Sequence, residues 1–522
     1  MNFFIARVAL GVALSLAVFG LNAKELAVGL GASVTSADPH FHALNPNVAL
    51  HTHVFEYLVA QDAEQRLTPA LATSWKAIDD TTWEFKLRQG VKFHDGSAFD
   101  AEDVLATLKR VPWVPNSPSA FTIYTKSIAK AIVVDSHTIR FKTASPYPLL
   151  PNDLANVFII NRKYVEASTE DFNRLRAAIG TGPYKLTQFV LGERYVMERF
   201  DGHWGAEEPW EKVTFRQINS APSRVAALLA GDVQLIENVP TADIESLKKN
   251  PDVVLSQGVS NRVIYFAMDQ ERPTTPFITD KQGKPLDKNP LQDLRVRQAL
   301  SKAINRNGLV ARVMEGVAIP AGQLLPESFF GTSPNLKATE FDPEGAKKLL
   351  AEAGYPNGFR LTLHGSNDRY INDSRIVQTV AQMYSRIGIE AQVEIMPWAT
   401  YATRATNREF SVFLVGWGSG TGETSGSLRA LLACWDPQRG MGTANRGRYC
   451  SKEMDGLLGQ GLGTIDDKKR AQILARASEV AMNDVGIIPL HYEVTTWATR
   501  KGLKYNPRVD QNTMAMELRP TK

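Results

Sequence analysis

Residues 81–110 of the chain read TTWEFKLRQGVKFHDGSAFDAEDVLATLKR. Three apolar residues alternate with polar neighbours at the start of this stretch: Trp83, Phe85 and Leu87. This alternation is typical of a half-buried strand. Asp95-Gly96 predicts a tight turn, because such turns need a residue that tolerates positive φ. Asp100 stands at an N-cap position, with acidic residues behind it, and therefore predicts a helix that starts at about residue 101.

The segment FKLRQGVKFHDGSAFDAEDV (85–104) also resembles the signature of the bacterial solute-binding proteins that serve peptide- and nickel-type ABC importers. Further motifs of this family follow in order: LTPALATSW, GTGPYKL, HWG, GDVQLIENVP, DLRVRQALSKAINR, FDPEGAKKLLAEAGYPNGF, VGW and IIPLH. Each motif is weak alone, but their shared order covers nearly the whole mature chain. The chain is identified as a member of family 5 of the extracellular solute-binding proteins, and it resembles the dipeptide- and oligopeptide-binding proteins.

The pattern of elements and the resemblance point to the same fold class. Helical patterns alternate with strand patterns from about 220 to 415, which predicts α/β layering with mixed sheets. The resemblance implies a two-lobed periplasmic binding protein (type II, cluster C-like) whose hinge is crossed twice. The implied divisions are lobe I at 24–63, 180–266 and 493–522, a subdomain inserted in lobe I at 64–179, and lobe II at 267–492.

The N-terminal residues 1–23 have the pattern of a cleavable secretory signal peptide. One positive charge, Arg7, precedes an apolar run from 8 to 21, and a small residue, Ala23, stands at the expected cleavage point. An uncleaved anchor is the alternative, but the run is short for a membrane span. Because no cysteine lies near the cleavage point, we expect a protein of a Gram-negative periplasm without a lipid anchor.

The length and the composition limit the class of protein. A chain of 522 residues favours more than one domain, since single cores rarely exceed about 300 residues. The 59 basic and 55 acidic residues leave a net charge of only +4, and no basic run is interleaved with aromatic residues. A nucleic-acid partner is therefore not expected. We expect a monomer.

Two cysteines, Cys434 and Cys450, lie late in the chain. In a secreted protein such a pair most often forms a disulfide, here closing a loop of about 15 residues and contributing about 3 kcal/mol. A metal site is the alternative, but the intervening WDPQRGMGTANRGRY contains no histidine. The sequence favours a disulfide that restrains a Gly-rich loop.

The segment VGWGSGTGETSG (415–426) is the first candidate for the ligand site. Trp417 ends a buried strand and offers a flat apolar wall, and the small residues after it allow close approach of the backbone. The candidate contacts here are Trp417, Gly418, Ser419 and Gly420. A mobile surface loop beside a core tryptophan is the alternative. In similar peptide-binding members an aspartate three residues after this tryptophan pairs with the free amino group of the peptide, but this sequence has Gly420 there. Glu423 is near but does not match that position.

Four more candidate residues come from two other loops: Arg369, Tyr370, Thr35 and Ser36. In the dipeptide-binding relatives an arginine at about the position of Arg369 binds the ligand carboxylate, a role suited to a planar guanidinium. A surface arginine in a loop is the alternative. Relatives line the cleft with the region after the first strand, where Thr35 and Ser36 could bond the ligand backbone.

A cluster of histidines at 40, 42, 51 and 53 raises the question of a metal site. Their spacing matches no closed zinc pattern, and the sequence has no HExxH motif. Solvated or packed histidines are the better interpretation. We therefore expect no metal and no cofactor.

The resemblance implies a periplasmic solute-binding component of an ABC import system, for peptides or peptide-like carboxylated solutes. Its partners would be this solute and the permease subunits with their ATPases. A nickel-, haem- or opine-type carrier of the same family is the first alternative. A secreted hydrolase is more remote, because the sequence lacks a GxSxG elbow, a P-loop lysine motif and a dinucleotide fingerprint. We expect a binding protein that is not an enzyme.

Overall fold

The structure is a computed structural model that describes residues 25–118 and 121–521. The predicted signal peptide, residues 1–23, and the predicted start of the mature chain at Lys24 lie outside the described residues. The described chain is mixed α/β, with one large sheet, one four-stranded sheet and two small two-stranded sheets.

The elements follow one another in three groups. The first group is β1 (Glu25–Leu30), α1 (Asn45–Val54), β2 (Val59–Gln61), β3 (Leu67–Pro69), β4 (Ala72–Asp79), β5 (Thr82–Leu87), α2 (Ala101–Arg110), β6 (Ile128–Asp135), β7 (Thr138–Thr143), α3 (Leu150–Leu154) and α4 (Thr169–Asn173). The second group is β8 (Tyr184–Val190), β9 (Arg194–Arg199), β10 (Lys212–Gln217), α5 (Ala221–Ala230), β11 (Leu235–Ile236), α6 (Thr241–Lys248) and β12 (Val253–Met268). The third group is β13 (Ile278–Thr279), α7 (Leu294–Lys302), α8 (Arg306–Arg312), β14 (Ala318–Pro320), α9 (Pro343–Glu352), β15 (Arg360–Ser366), α10 (Asp373–Ser385), β16 (Glu390–Met396), α11 (Trp398–Thr406), β17 (Val412–Gly418), α12 (Thr424–Leu431), α13 (Lys452–Gly463), α14 (Asp467–Asn483), β18 (Ile488–Arg500), β19 (Leu503–Tyr505) and β20 (Leu518–Pro520).

The large sheet has the strand order β13-β15-β17-β12-β18-β11-β1-β10-β9-β8, with β16 beside β15 and β14 beside β18. The two long strands β12 and β18 are antiparallel neighbours in the middle of this order. Strands β15, β16 and β17 pair in parallel on one side of them, and β1 pairs in parallel with β10 and β11 on the other. Both halves of the sheet are therefore joined through β12 and β18.

The β12–β18 pairing changes register near its middle. Residues 253–259 pair with 494–500, and after an irregularity between Val259 and Val263 the pairing resumes at Tyr492. Separate hydrophobic clusters lie to either side: one contains Val28, Phe215 and Trp497, and another contains Ile264, Leu414 and Ile488. The predicted lobe boundaries fall within these two strands and stay predictions.

The decisive stretch of the sequence folds as its local signals predict. Strand β5 lies in the order β4-β5-β7-β6, Gly96 takes φ +86°, and helix α2 begins after Asp100. The Asp100 side chain accepts a hydrogen bond from the N–H of Glu102, and Asp103 completes a capping box. Buried residues from the strand, the turn and the helix share one core: Phe85, Phe93, Phe99 and Val104.

Other residues that mark the ends of helices also agree with the structure. Asp342 caps α9 by accepting from the N–H of Gly345, Pro343 occupies the first turn, and Gly354 follows the helix with φ +92°.

None of the helices within the described ranges 25–118 and 121–521 combines the length and the apolar character that crossing a bilayer requires.

Candidate ligand-binding site

Strand β17 brings the tryptophan loop to the register irregularity of β12. Trp417 pairs with Val263, and Gly418 pairs with Arg262. Trp417 is half-buried and packs against a hydrophobic cluster that contains Val263 and Val415. Its buried indole Nε1 donates to no acceptor within the described residues. The end of β17 therefore combines an aromatic face with a backbone that small residues leave accessible.

The loop after β17, residues 419–421, is held by neutral side-chain amides. Gln65 and Asn261 donate to the carbonyl of Ser419 at 3.1 and 2.7 Å, Gln61 and Asn156 both donate to that of Gly420 at 3.4 Å, and Asn152 donates to that of Thr421 at 2.9 Å. We call residues 419–421 the amide-held loop. Three of these five amides lie within residues 64–179, so the loop packs against the predicted inserted subdomain.

The atoms that a side chain at Gly420 would meet within 4 Å are polar and uncharged. A Cβ atom at this position would lie 3.4 Å from Tyr124 Oη and 3.6 Å from Asn156 Oδ1. Glu423 does not replace the missing carboxylate, because its side chain is buried in an ion pair with Arg470, with Nη1 to Oε1 and Oε2 distances of 2.9 and 2.7 Å. Burial raises the pKa of Glu423, although Arg470 acts in the opposite direction.

Arg369 lies in the loop between β15 and α10, and its side chain is exposed. Its guanidinium is 5.4 Å from the ring centroid of Tyr370 and 5.5 Å from that of Trp398. Its backbone N–H donates to Asp373, but within the described residues its guanidinium donates to no protein acceptor. Tyr370 is nearly buried, and its hydroxyl donates to the carbonyl of Gly416 at 3.3 Å. The structure thus places Arg369 and Tyr370 beside β17, with the guanidinium free.

A second arginine, Arg262, is a residue that sequence reasoning missed. Its Nε donates to Gln511 Oε1 at 2.9 Å and lies 3.4 Å from Glu493 Oε2. Burial lowers the pKa of Arg262, Glu493 acts in the opposite direction, and the positive charge of Arg369 lowers it further. Glu493 connects the two arginine segments, because its Oε2 lies beside Arg262 while its Oε1 accepts from the N–H of Ile371, two residues after Arg369. We call Arg262 and Arg369 the arginine pair. No motif marks Arg262, because it reads as an ordinary polar residue of a long strand.

Thr35 and Ser36 are engaged with protein partners. The N–H of Thr35 donates to Asn47 Oδ1 at 2.9 Å, and its hydroxyl lies 3.1 Å from a ring nitrogen of His42. Ser36 is fully buried, and its hydroxyl donates to Asn173 Oδ1 at 2.9 Å. Both side chains therefore take part in local packing, and their contact with a ligand stays a prediction.

Three of the clustered histidines are packed in the core. His40, His51 and His53 are at most 1 % exposed, and their rings bond to the carbonyls of Phe158, Ser36 and Ala49. Burial lowers the pKa of all three to about 4. Within the part of the chain that the structure describes, no group of three or more His, Cys, Asp or Glu side chains could hold a metal ion.

The two cysteines form the predicted disulfide, Cys434–Cys450. The loop that it closes contains Gly440 and Gly442, both at positive φ. The N–H of Cys434 donates to the carboxylate of Asp455, and Arg429 Nε of α12 donates to the carbonyl of Gly440 at 3.3 Å. The disulfide therefore restrains a loop that packs against α12, the helix that follows the amide-held loop.

Comparison with known proteins identifies the family. Residues 66–438 match the family described as bacterial extracellular solute-binding proteins, family 5 Middle. This chain belongs to that family. The glutathione-binding protein GsiB of Escherichia coli (strain K12) is 30% identical over 508 residues, covering 95% of this chain and 94% of the relative. The predicted family is thus confirmed.

Solved structures show the same fold. The ABC transporter-associated periplasmic binding protein DppA from Helicobacter pylori, in complex with the peptide STSA, has a TM-score of 0.78 at 23% identity, over 95% of this chain and 98% of that one. NikZ from Campylobacter jejuni, in complex with Ni(L-His), has a TM-score of 0.79 at 20% identity, over 95% and 99%. These likenesses confirm the predicted α/β, two-lobed binding-protein fold, and the family match makes the chain a bacterial extracellular solute-binding protein.

Proposed function

We propose that this protein binds a small carboxylated, peptide-like solute between its lobes and delivers it, chemically unchanged, to an ABC permease. The exposed guanidinium of Arg369, 5.4 Å from the Tyr370 ring and without a protein acceptor within the described residues, carries the proposal. A planar guanidinium binds a carboxylate with two parallel hydrogen bonds. The ligands of two similar proteins, glutathione for GsiB and a peptide for DppA, belong to the same chemical class.

The proposal includes the cellular setting. The protein would be secreted through cleavage after Ala23, would act as a periplasmic monomer and would catalyse no reaction. The N-terminal pattern supports the first point, and membership of a family of binding proteins supports the last. Its partners would be the permease subunits and their ATPases. The similar DppA of Helicobacter pylori is ABC transporter-associated, which supports this point.

Gly420 limits the kind of peptide that fits. A buried ammonium group without a counter-ion is costly, and the oxygens within 4 Å of a Cβ atom at Gly420 belong to a hydroxyl and an amide group. Glu423 is engaged with Arg470. We therefore expect free dipeptides to bind weakly and solutes whose amino group is modified, displaced or absent to bind better.

A thermal-shift screen tests the proposal with free dipeptides, oligopeptides, opines, glutathione and the nickel–histidine complex. The same screen on Arg369→Ala should lose the strongest shift, because a desolvated charge-assisted pair is worth roughly 2–5 kcal/mol. Arg375→Ala is the matched control: this arginine is exposed on nearby α10 and pairs with Glu315 at 3.5 Å. It should behave as the wild type.

Three outcomes would contradict the proposal. A large shift with ordinary dipeptides that Arg369→Ala leaves undiminished would show that both the clamp and the solute class are wrong. A shift with the nickel complex alone would favour the metal-carrier alternative. Turnover of ester or glycoside substrates would favour the secreted hydrolase.

A further inference from the structure

We infer that Arg262 is a second ligand-binding guanidinium, and that one carboxylate of the solute is shared between Arg262 and Arg369. This inference rests on the proposed function and adds to it a specificity-determining residue and the charge of the group bound. It is carried by the position of Arg262, by its hydrogen bonds and by the charges around it.

The backbone places Arg262 at the end of β17. It stands in β12 between Val259 and Val263, where the register of the β12–β18 pairing shifts, and opposite Gly418. A Cβ atom on Gly418 would lie 3.3 Å from Arg262 Nη2, which is closer than most real Cβ contacts. Glycine at this position therefore leaves room for the guanidinium beside the tryptophan loop.

The hydrogen bonds of Arg262 leave the outer edge of its guanidinium, Nη1 and Nη2, without a partner among the described residues. Nε donates to Gln511, but neither Nη1 nor Nη2 donates to any acceptor within residues 25–118 and 121–521. The side chain is 13% exposed, and Nη1 and Nη2 are not among the fully buried side-chain atoms that lack a partner, so both keep some access to water. A largely buried guanidinium with unused donors still gains from an anion, because a charged acceptor makes a stronger hydrogen bond than water does. The outer edge of Arg262 is therefore suited to a ligand carboxylate.

The carboxylates around the arginine pair leave the Arg369 guanidinium without a partner within the described residues. Glu493 is the carboxylate beside Arg262, at 3.4 Å, and its other contacts are neutral: the N–H of Ile371 at 3.4 Å and the amide of Gln511 at 3.2 Å. Asp373 is buried nearby, but its carboxylate accepts from the Ser366 hydroxyl and from the backbone N–H groups of Arg369 and Tyr370, and within the described residues it pairs with neither guanidinium. A ligand carboxylate would therefore supply the acceptor that Arg369 and the Nη atoms of Arg262 lack, whereas an amide would supply only a weaker, neutral one.

A double-mutant cycle tests the inference by calorimetry, with glutathione and its glycine-amide analogue as probes. The variants are Arg262→Gln, Arg369→Ala and the two combined, with Arg216→Gln as the matched control because this arginine is exposed on distant β10. Each single variant should weaken glutathione binding by about 10- to 100-fold. The double variant should lose less than the product of the two, because both arginines bind the same carboxylate. The amide lacks the glycine carboxylate, so it should bind the wild type weakly and be insensitive to both substitutions if that carboxylate is the shared one. An amide that binds as glutathione does and stays sensitive to both substitutions would assign the shared role to the γ-glutamyl carboxylate.

Arg262→Lys covers the case in which Arg262→Gln does not fold. It keeps the charge and removes the planar fork, so its affinity for glutathione should be reduced while its melting temperature without ligand stays near the wild-type value. Glutathione binding that depends on Arg369 but is unchanged in Arg262→Gln or Arg262→Lys would overturn the inference and leave the proposed function standing. A wild-type protein that binds no carboxylated solute in the wider screen would overturn the proposed function itself.

Discussion

Asp153 is a buried carboxyl group next to the amide-held loop, one residue from Asn152, which donates to that loop. It accepts a hydrogen bond from the Tyr147 hydroxyl at 2.6 Å. Burial raises the pKa of Asp153 to about 7 and the negative charge of Glu423 contributes to the rise, whereas Arg429 and Lys126 oppose it. The carboxyl group therefore titrates in the neutral range, between groups of both signs.

Replacing Asp153 with asparagine should change how stability depends on pH. The folded pKa of Asp153 lies above its unfolded value of 3.8, so between about pH 4 and 7 only the unfolded state loses the proton. Stability is then lost as pH rises, at up to about 1.4 kcal/mol per pH unit. In urea unfolding, Asp153→Asn should gain on the wild type from pH 4.5 to 7.5. The control Asp135→Asn, in an exposed turn where hydrogen bonds lower the pKa below 3.8, should run parallel to the wild type over this range, because that carboxyl group is ionised in both the folded and the unfolded state. A parallel profile for Asp153→Asn and the wild type would contradict the prediction.

At this scale the sequence predicted the residues whose position a motif marks. Arg369 follows β15 and Gly420 follows Trp417 as the family pattern implies, and both stay binding-site predictions. Arg262 could not be found in this way, because its environment depends on Gln511 and Glu493, more than 230 positions away in the chain. The burial of Ser36 could not be predicted either, since Ser36 lies in a loop and its partner Asn173 belongs to the distant helix α4.

Among the elements, local signals were sufficient where a turn or cap residue marks a boundary. Asp100 and Asp342 cap helices, and Gly96 and Gly354 take positive φ where the sequence predicts a turn or a stop. The pairing of β12 with β18 is different in kind. This pairing joins strands separated by more than 200 residues, and no local pattern encodes the pairing or its register shift.

The Cys434–Cys450 disulfide should stabilise the protein without contributing directly to binding. Replacing both cysteines with serine frees a Gly-rich loop of about 15 residues, at a cost of about 3 kcal/mol in the chain-entropy view. The melting temperature should fall by several degrees. Affinity for a carboxylated solute should change little at a temperature where the variant is folded. Peptide mapping without reductant that finds both thiols free in periplasmic protein would refute the prediction.

For the whole molecule, the two-lobed architecture came from the ordered resemblance, and physical patterns alone supported only α/β layering. The reason is that the large sheet contains strands from both halves of the chain, and β18, from close to the C-terminus, lies in the middle of its strand order. Composition and periodicity describe single elements, but they do not say that β1 joins β18 only through the short β11.

Buried histidines should lower the stability of the fold at acidic pH. Burial lowers the pKa of His40, His51, His53 and His94 to about 4 and that of His491 to about 3. Their unfolded value is 6.5, so between about pH 6.5 and 4 the unfolded state binds more protons than the folded state. Stability should therefore fall as pH drops through this window, by up to about 1.4 kcal/mol per pH unit for each histidine. Asp153 and other buried carboxyl groups with raised pKa values, such as Glu423, act against this trend.

His491 offers the sharpest test of this acid sensitivity. It is fully buried, and within the described residues neither ring nitrogen has a hydrogen-bond partner. Replacing it with leucine removes a titrating group without breaking a bond within that part of the chain, so His491→Leu should lose less stability than the wild type between pH 7 and 5. Urea unfolding at the two pH values measures this difference. The control His137→Gln, at a half-buried position in the β6–β7 turn, should keep the wild-type pH dependence. An unchanged slope in His491→Leu would mean that this imidazole is protonated in the folded state, with an acceptor or a water molecule reaching it, because only then would its removal leave the proton balance between the folded and unfolded states unaltered.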